Sequence, residues 1–310
     1  MSSLTRKEFL QTSVFALANL LINSSFRFNK KNLLLSFSTL GCPDWNFQQI
    51  VNFATQHGYK GLELRGIQRQ LDLTQCPPFS TEESRKDTLA LMKENGLRFV
   101  GLGSSANLHF AEGAEREKNL AEARNFITLA EQIGCPYVRV FPNKLPKDTD
   151  KKTTIHRIVK GLQELGDYAK EKKVMVLMET HGDVVYSDDI FEIMQAAANK
   201  NIGLVWDVTN MWTVTKEPPA QVYQKLKNYI HHTHIKDAKL VDGKPQYTLL
   251  GQGNVPIFEA IDALSTGGYS GYYSFEWEKL WHPEIAEPGI ALADYPIVME
   301  KHFGKSRSAL

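Results

Sequence analysis

Val174-Met175-Val176-Leu177-Met178-Glu179-Thr180-His181 is a run of five apolar residues that meets a carboxylate. A continuous apolar run of this length is typical of a strand buried on both faces, as in a parallel sheet covered by helices. Glu179 then lies where the strand leaves the core, and in a parallel α/β barrel that end belongs to the active-site face. The stretch therefore predicts a buried barrel strand with a functional residue at its end.

A similar pattern repeats along the chain: from Leu33 onward, apolar segments of strand length alternate with helical patterns. Such alternation is the signature of repeated βα units. The predicted strands are residues 33–38, 61–65, 98–102, 137–141, 174–178, 202–206, 230–235 and 271–275. Eight strands with helices between them, and a last helix over 290–303, predict an α/β fold, a single-domain (β/α)8 TIM barrel. An open doubly wound sheet is disfavoured because residues 38–42 lack the Gly-rich phosphate-binding turn.

The composition is that of an ordinary globular protein, with 310 residues, 42% of them hydrophobic, 23% charged, and a formal net charge of +1. No long basic run occurs in the body of the chain, so a nucleic-acid partner is not expected. The cysteines, Cys42, Cys76 and Cys135, are scattered and odd in number. They therefore predict free or buried thiols and neither a disulfide framework nor a cysteine metal site.

The N-terminal residues 1–30 predict an export signal, and residues 31–310 the barrel. A short basic start around Arg6 and Lys7 precedes an apolar segment over residues 14–22, which is too short to span a membrane. The start resembles a twin-arginine signal in which Lys7 replaces the second arginine. The prediction is a periplasmic protein; without a functional signal the protein would be cytoplasmic, and the segment would be an amphipathic helix.

Four successive predicted strands end in an acidic residue or an imidazole: Glu179, Asp207, His234 and Glu276. A single strand-end carboxylate is usually a salt-bridge or loop-binding group, but barrel closure brings four such ends around one mouth. Three carboxylates and one imidazole form a mixed oxygen and nitrogen ligand set that suits Mn²⁺, Mg²⁺, Co²⁺ or Zn²⁺. The sequence therefore predicts one divalent metal ion held by these four residues.

With these residues in place, the chain resembles the sugar isomerase/epimerase-like barrels, which are related to xylose isomerase. The resemblance covers about Leu33 to Phe303. It is carried by residues 61–65 (GLELR), 178–181 (METH), 206–210 (WDVTN), 232–237 (HTHIKD), 250–255 (LGQGNV) and 275–278 (FEWE). It implies a metal-dependent enzyme with a small-molecule carbohydrate substrate and leaves a homo-oligomer open; the absence of a membrane span is expected from the short apolar segment described above. The family includes isomerases, epimerases, dehydratases and lyases, so the resemblance does not select a reaction.

Two positions depart from patterns within this family. Many members carry a histidine three residues after the aspartate, where this chain has Asn210, and the ketose 3-epimerases carry an arginine where it has Leu240. Both departures argue against a simple ketose epimerase. The related endonuclease barrels bind three metals with several more histidines, so Asn210 and the near-neutral charge also argue against DNA repair.

Five residues are predicted to bind substrate: His181, Lys236, His109, Arg65 and Trp277. Strand alternation places Lys236 on the same face as His234. The structural alternatives are a loop hydrogen bond for His181, a salt bridge to Asp237 for Lys236, a pair with Glu63 for Arg65, and plain packing for His109 and Trp277.

The favoured hypothesis is an isomerase or epimerase that transfers a proton next to a carbonyl through an enediolate. The metal acts as Lewis acid, and Glu179 and Glu276 are the catalytic residues, one removing the proton and the other returning it. If a leaving group lies beta to the carbonyl, the same enolate expels it, and the chain is a lyase or dehydratase acting on a keto-sugar or glycoside. A hydride-shift isomerase and a non-catalytic periplasmic sugar-binding barrel are the remaining alternatives.

Overall fold

Eight parallel strands close into a barrel in the computed structural model, which describes residues 33–305. The strands are β1 (Leu35–Ser38), β2 (Gly61–Leu64), β3 (Arg98–Asn107), β4 (Tyr137–Phe141), β5 (Met175–Glu179), β6 (Ile202–Asp207), β7 (Ile230–Ile235) and β10 (Tyr273–Phe275). Each strand pairs with the next one around the ring, and β10 closes it by pairing with both β7 and β1. The predicted (β/α)8 barrel is therefore confirmed. The predicted export signal lies outside the described residues and stays a prediction.

Nine α-helices connect or follow the strands in the described part of the chain. They are α1 (Phe47–Gln56), α2 (Glu82–Glu94), α3 (Ala114–Ile133), α4 (Lys151–Ala169), α5 (Ser187–Ala197), α6 (Val208–Thr215), α7 (Pro219–Leu226), α8 (Ile257–Thr266) and α9 (Pro288–Lys305). Their ends follow local chemistry. A capping box of Asn46 and Gln49 starts α1, and α3 ends at Gly134, whose φ of 66° is left-handed.

A two-stranded hairpin and the short helix α6 were not predicted. The hairpin consists of β8 (Asp237–Val241) and β9 (Lys244–Thr248), which pair antiparallel. Its turn uses Asp242 and Gly243, whose φ angles of 50° and 76° suit a tight hairpin turn. The helix α6 starts directly at the end of β6, because the Asp207 side chain accepts a hydrogen bond from the backbone N–H of Asn210.

Asp237, the first residue of β8, orders the loop that follows the hairpin. Its carboxylate accepts hydrogen bonds from the backbone N–H groups of Gly251 and Gly253, each at 2.9 Å. A Cβ at Gly253 would lie 2.0 Å from the Asp237 carboxylate, so this close approach requires glycine. Asp237 is thus committed to the backbone of the loop and not to Lys236, and the sequence-based alternative of a Lys236–Asp237 salt bridge is wrong.

Two further predictions can be compared with the described residues. Cys42, Cys76 and Cys135 are free and buried, as predicted. Among residues 33–305, no helix is both long enough and apolar enough to cross a membrane.

Candidate metal centre

The barrel gathers the four predicted metal ligands at one point. Glu179 and Asp207 are the last residues of β5 and β6, His234 lies in β7, and Glu276 follows β10 directly. Asp207 and His234 are direct partners in the strand register. One potential ligand atom from each of the four residues lies within 4.8 Å of the others, and all four residues are buried. The predicted strand-end constellation is therefore a spatial cluster.

The imidazole of His234 directs its Nδ1 atom at the three carboxylates. This atom lies 3.2 Å from Glu276 Oε1, 3.5 Å from Glu179 Oε1 and 3.8 Å from Asp207 Oδ2. Within the described residues, Nδ1 of His234 is buried without a hydrogen-bond partner, and Oε2 of Glu179 and Oδ2 of Asp207 are held as ion pairs, by Arg139 and Lys236, without hydrogen-bond geometry. Buried polar atoms are normally hydrogen-bonded, so three such atoms in one cluster need an explanation. Three carboxylates and a nitrogen atom facing a common centre fit a divalent metal ion.

Glu63 of β2 holds His234 from the side opposite the cluster. Both carboxylate oxygens of Glu63 lie 3.1 Å from Nε2 of His234, and Oε2 also lies 2.7 Å from Nε2 of His232 and accepts from Ser274 Oγ at 3.1 Å. A carboxylate behind a metal-ligating histidine fixes the tautomer and orientation of the ring. This role of Glu63 was not predicted from the sequence, in which Glu63 is expected only as a partner for Arg65.

At Glu63 and His234, the neighbouring charges shift the pKa more than burial does. Burial raises the pKa of Glu63, but the imidazoles of His234 and His232 hold it below its ordinary value. Burial lowers the pKa of His234, but the carboxylates of Glu276, Glu63 and Glu179 bring it well above its ordinary value. The metal-free site therefore keeps His234 doubly protonated at neutral pH, and a metal ion has to displace the proton on Nδ1.

Lys236 extends the cluster with a buried ammonium group that is 1% exposed. Its Nζ lies 2.6 Å from Glu276 Oε2, 2.6 Å from Glu278 Oε1 and 2.8 Å from Asp207 Oδ2. Burial lowers the pKa of Lys236, but the carboxylates of Asp207, Glu276 and Glu278 raise it well above its ordinary value. The group therefore stays charged, beside two of the four candidate ligands.

A chain of side-chain amides fixes the tautomer of His181. The carbonyl oxygen of Ser105 accepts from Asn107 Nδ2 at 2.8 Å, Asn107 Oδ1 accepts from Asn143 Nδ2 at 2.6 Å, and Asn143 Oδ1 lies 3.2 Å from His181 Nδ1. Because the carbonyl at the start can only accept, each amide orientation follows, and Nδ1 of His181 must donate. In the neutral ring, Nε2 therefore carries a lone pair. His181 is half-buried.

Asn143 itself has an unusual backbone conformation, with a φ of 65°. Its carbonyl accepts from the Asp183 N–H at 2.7 Å, and a Cβ at Gly182, whose φ is 70°, would lie 2.1 Å from the same carbonyl oxygen. The loops after β4 and β5 are therefore locked together at this point. Left-handed non-glycine residues of this kind cluster at functional sites, where the surrounding structure supports them.

Two arginines lie beside the cluster. Arg65 was predicted from the sequence to bind substrate, and Arg139 was not. Arg139 of β4 places Nε 3.3 Å from Glu179 Oε2, and its guanidinium carbon lies 3.8 Å from the ring centroid of Phe141. Arg65 follows β2 and donates from Nη2 to Ser105 Oγ at 2.9 Å. The sequence-based alternative pairs Arg65 with Glu63, but Glu63 is hydrogen-bonded to the histidines instead.

The other two predicted substrate-binding residues are Trp277 and His109. Among residues 33–305, their side-chain contacts do not join them to the cluster. Trp277 is 1% exposed, stacks on Phe275 with ring centroids 5.7 Å apart, and donates from its indole N–H to the Ala286 carbonyl at 2.9 Å. Packing is therefore its observed role. His109 is buried with its ring centroid 4.2 Å from that of Phe110, and burial lowers its pKa.

Comparisons with known proteins agree with this architecture. The family model described as xylose isomerase-like TIM barrel matches residues 51–294. A 3-dehydroshikimate dehydratase from Bacillus anthracis is 23% identical over 226 residues, which are 70% of this chain and 78% of the relative. An inosose dehydratase from Clostridium tetani is 27% identical over 274 residues, which are 78% of this chain and 85% of the relative. Among solved structures, the IolI protein with a bound zinc atom superposes with a TM-score of 0.72 at 20% identity, covering 88% of this chain and 99% of that chain.

Proposed function

The chain belongs to the xylose isomerase-like TIM barrel family, and from this premise we propose that it is a metal-dependent lyase that removes water from a hydroxy-ketone. The two curated relatives described above are named dehydratases, which supports elimination. Asn210 replaces a histidine of many family members and Leu240 an arginine of the ketose 3-epimerases, and both departures argue against a simple ketose epimerase. The zinc atom in the IolI structure supports a metal ion at the four-residue cluster.

One observation carries the proposal: a candidate base, His181, and a candidate acid, Lys236, are held by separate networks of polar contacts at the mouth of the barrel. An elimination needs one group that takes a proton from carbon and another that protonates the departing oxygen. His181 offers a bare Nε2 because the amide chain through Asn143 keeps its other nitrogen protonated. Lys236 offers a charged ammonium, because three carboxylates surround it.

The proposed reaction follows from these roles. A divalent metal bound by the cluster would polarise the substrate carbonyl and so acidify the neighbouring C–H bond. His181 Nε2 removes that proton, the electron pair of the C–H bond forms a C=C bond, and the C–O bond beta to the carbonyl breaks. Lys236 gives a proton to the departing hydroxyl, which leaves as water; a metal ion held by Asp207 and Glu276 would draw their charge away from the ammonium and so lower its raised pKa. When water enters the site after product release, the proton taken by His181 returns to Lys236, so that one water molecule is the net loss.

Glu179 and Glu276 serve better as metal ligands than as the proton-transfer pair predicted from the sequence. Burial raises the pKa of both carboxylates, but His234 brings each below its ordinary value, helped by Arg139 at Glu179 and by Lys236 at Glu276. A carboxylate whose pKa is this low is a weak base for a carbon-bound proton. The proposal therefore assigns the base to His181.

Epimerisation is the second candidate, and one observation favours it. Glu179 Oε1 and Glu276 Oε1 both approach His234 Nδ1, at 3.5 Å and 3.2 Å, from two different strands. Two carboxylates around one metal ion are the arrangement that removal and return of a proton would use.

The test is turnover of the ketone substrates named for the relatives, 3-dehydroshikimate and inosose, by the metal-loaded protein in D₂O. NMR separates the outcomes: elimination gives a product that has lost water, and epimerisation gives an isomer that carries deuterium at the carbon next to the carbonyl. His181→Gln should lower elimination by about 10²–10⁴-fold, as expected for loss of a general base, without loss of metal. His156→Gln, on the exposed face of α4, is the control. Full activity of His181→Gln would refute the assigned base.

A further inference from the structure

Arg65 and Arg139 meet beside the candidate metal centre, and the proposed reaction uses neither of them. Both side chains pass over Gly103 of β3, since a Cβ there would lie 2.7 Å from Arg139 Nη2 and 2.9 Å from Arg65 Cδ. The two residues are 6% and 5% exposed, respectively. The missing side chain at Gly103 therefore creates the space in which two guanidinium groups lie together.

These guanidinium groups are incompletely paired. Nη1 of Arg65 and both Nε and Nη1 of Arg139 are buried without a hydrogen-bond partner in the described part of the chain. Among residues 33–305, Arg139 forms an ion pair with Glu179, at 3.3 Å and without hydrogen-bond geometry, and its guanidinium lies over the ring of Phe141. No carboxylate among residues 33–305 forms an ion pair with Arg65, whose polar side-chain contact is the Ser105 hydroxyl. Buried charges are usually paired, so the unused donors are costly unless something else binds them.

The charges of Arg65 and Arg139 also favour a bound anion. Burial and the neighbouring Arg139 lower the pKa of Arg65 to about 10, against the opposite effect of the Glu122, Glu276 and Glu179 carboxylates, and Arg65 stays charged at neutral pH. Two like charges placed side by side and away from water repel each other. An anion between them would relieve the repulsion and take up the free N–H groups at once. Guanidinium forks match carboxylate oxygens in geometry as well as in charge.

We propose that Arg65 and Arg139 bind a carboxylate of the substrate, so that the substrate is an acidic hydroxy-ketone and not a neutral sugar. The inference rests on the proposed function for the identity of the reacting ketone, but the anion site itself can be tested without turnover. Arg139 contacts Glu179, a candidate metal ligand. A carboxylate bound by this pair would therefore lie beside the candidate metal centre.

The test compares two probes that differ only in the carboxylate. Catechol and 3,4-dihydroxybenzoate present the same vicinal oxygens to a metal ion, and isothermal titration calorimetry measures their affinity for the zinc-loaded protein. The wild-type protein should bind 3,4-dihydroxybenzoate at least about tenfold more tightly than catechol, because hydrogen bonds to charged groups contribute about 1.5–3 kcal/mol.

Two glycines of the same strand supply a perturbing variant and its control. Gly103→Ala places a methyl group against Nη2 of Arg139 and Cδ of Arg65, both on long flexible side chains that can move, so the barrel should still fold while the pair separates. Gly101→Ala lies one step below on the same face, where the new Cβ would be 3.5 Å from Glu63 Cγ and 4.0 Å from His232 Nε2, ordinary contact distances. Gly103→Ala should reduce the affinity for 3,4-dihydroxybenzoate to that for catechol. Gly101→Ala should keep the difference.

The outcomes separate this inference from the proposed reaction. Equal affinity of the wild-type protein for the two probes would overturn the anion site, and the arginines would then only balance Glu179. That comparison needs no variant, so it holds even if Gly103→Ala does not fold. A retained tenfold difference together with no turnover of any ketone would refute the lyase and leave the anion site standing. Arg65→Lys, which keeps the charge but loses the fork, should weaken 3,4-dihydroxybenzoate binding and leave catechol binding unchanged.

Discussion

Glu63 holds His234 through Nε2, with both carboxylate oxygens at 3.1 Å, and this contact aims the opposite nitrogen, Nδ1, at the three strand-end carboxylates. The relationship joins β2 to β7 through the middle of the barrel. The orientation of His234 therefore depends on Glu63, which is not one of the four candidate metal ligands.

Glu63→Gln should weaken metal binding by roughly 10- to 100-fold, the usual effect of losing a carboxylate behind a metal-ligating histidine. The amide has one accepting oxygen where the carboxylate has two, and its NH₂ group opposes the N–H groups of the imidazoles. Competition with a chelator of known affinity measures the change. Glu82→Gln, at an exposed ion pair on α2, is the control. Equal metal affinity in Glu63→Gln and wild type would show that the contact does not orient the ligand.

Metal binding should release about one proton per chain near neutral pH. The neighbouring carboxylates hold the pKa of His234 well above its ordinary value, so the metal-free ring is protonated there and Nδ1 must lose its proton to bind. Below this raised pKa, affinity should therefore fall as the pH falls. Titration calorimetry in buffers of different ionisation enthalpy measures the proton count. An observed enthalpy that is independent of the buffer would mean that no proton leaves.

Removal of the metal should lower stability, because three buried carboxylates would then face one another with the cationic groups of His234, Lys236 and Arg139 as their partners. A ligand that binds only the folded state at a hundred times its Kd stabilises it by about 2.7 kcal/mol. Thermal unfolding with a chelator, and again after adding back Zn²⁺ or Mn²⁺, measures the effect. A midpoint that is identical in both samples would contradict a structural contribution of the metal.

Gly182→Ala should impair both folding and turnover. A Cβ there would lie 2.1 Å from the Asn143 carbonyl oxygen, so the loop that orients His181 would have to move. Gly58→Ala is the matched control, since Gly58 also has a positive φ, 78°, but nothing lies within 4 Å of the added Cβ. The control isolates the backbone strain, about 1–2 kcal/mol for a left-handed residue. If Gly182→Ala costs no more stability than Gly58→Ala and keeps full turnover, the locked loops do not position His181.

Export can be tested on the protein from its native cells. If the basic and apolar start is a signal, mass spectrometry of the periplasmic protein should show the loss of about two dozen N-terminal residues, a typical signal length. An intact N-terminus on protein from the cytoplasmic fraction would contradict export.

The sequence was sufficient to predict the barrel and the four-residue cluster because both depend on strand ends. An apolar run that meets a carboxylate, as at Glu179, marks the end of a strand, and barrel closure brings such ends together. Glu63 and Arg139 were missed because they lie inside strands, where a charge looks like an interruption of the apolar pattern. The signal that could have found them is the same-face alternation in GLELR and YVRVF, which points both charges into the barrel.

Other features depend on contacts that spacing does not encode. The amide chain from Ser105 to His181 joins three different strand-end regions, and no local pattern predicts it. The hairpin is different, since Asp242-Gly243 between alternating residues is a recognisable turn signal from which it could have been predicted. The predicted substrate role of Trp277 came from its place on a strand-end loop, but the alternation that turns Glu276 inward turns its neighbour outward.

The central claim is that Glu179, Asp207, His234 and Glu276 bind one divalent metal ion. Elemental analysis after reconstitution with Zn²⁺ or Mn²⁺ and removal of free metal tests it most directly. The comparison includes His234→Ala and, as control, His231→Ala, which alters the opposite face of the same strand. The account predicts about one metal ion per chain in the wild type and the control, and its loss in His234→Ala, as expected for a single mixed-ligand site. Wild-type protein without bound metal, or equal metal content in His234→Ala, would contradict it.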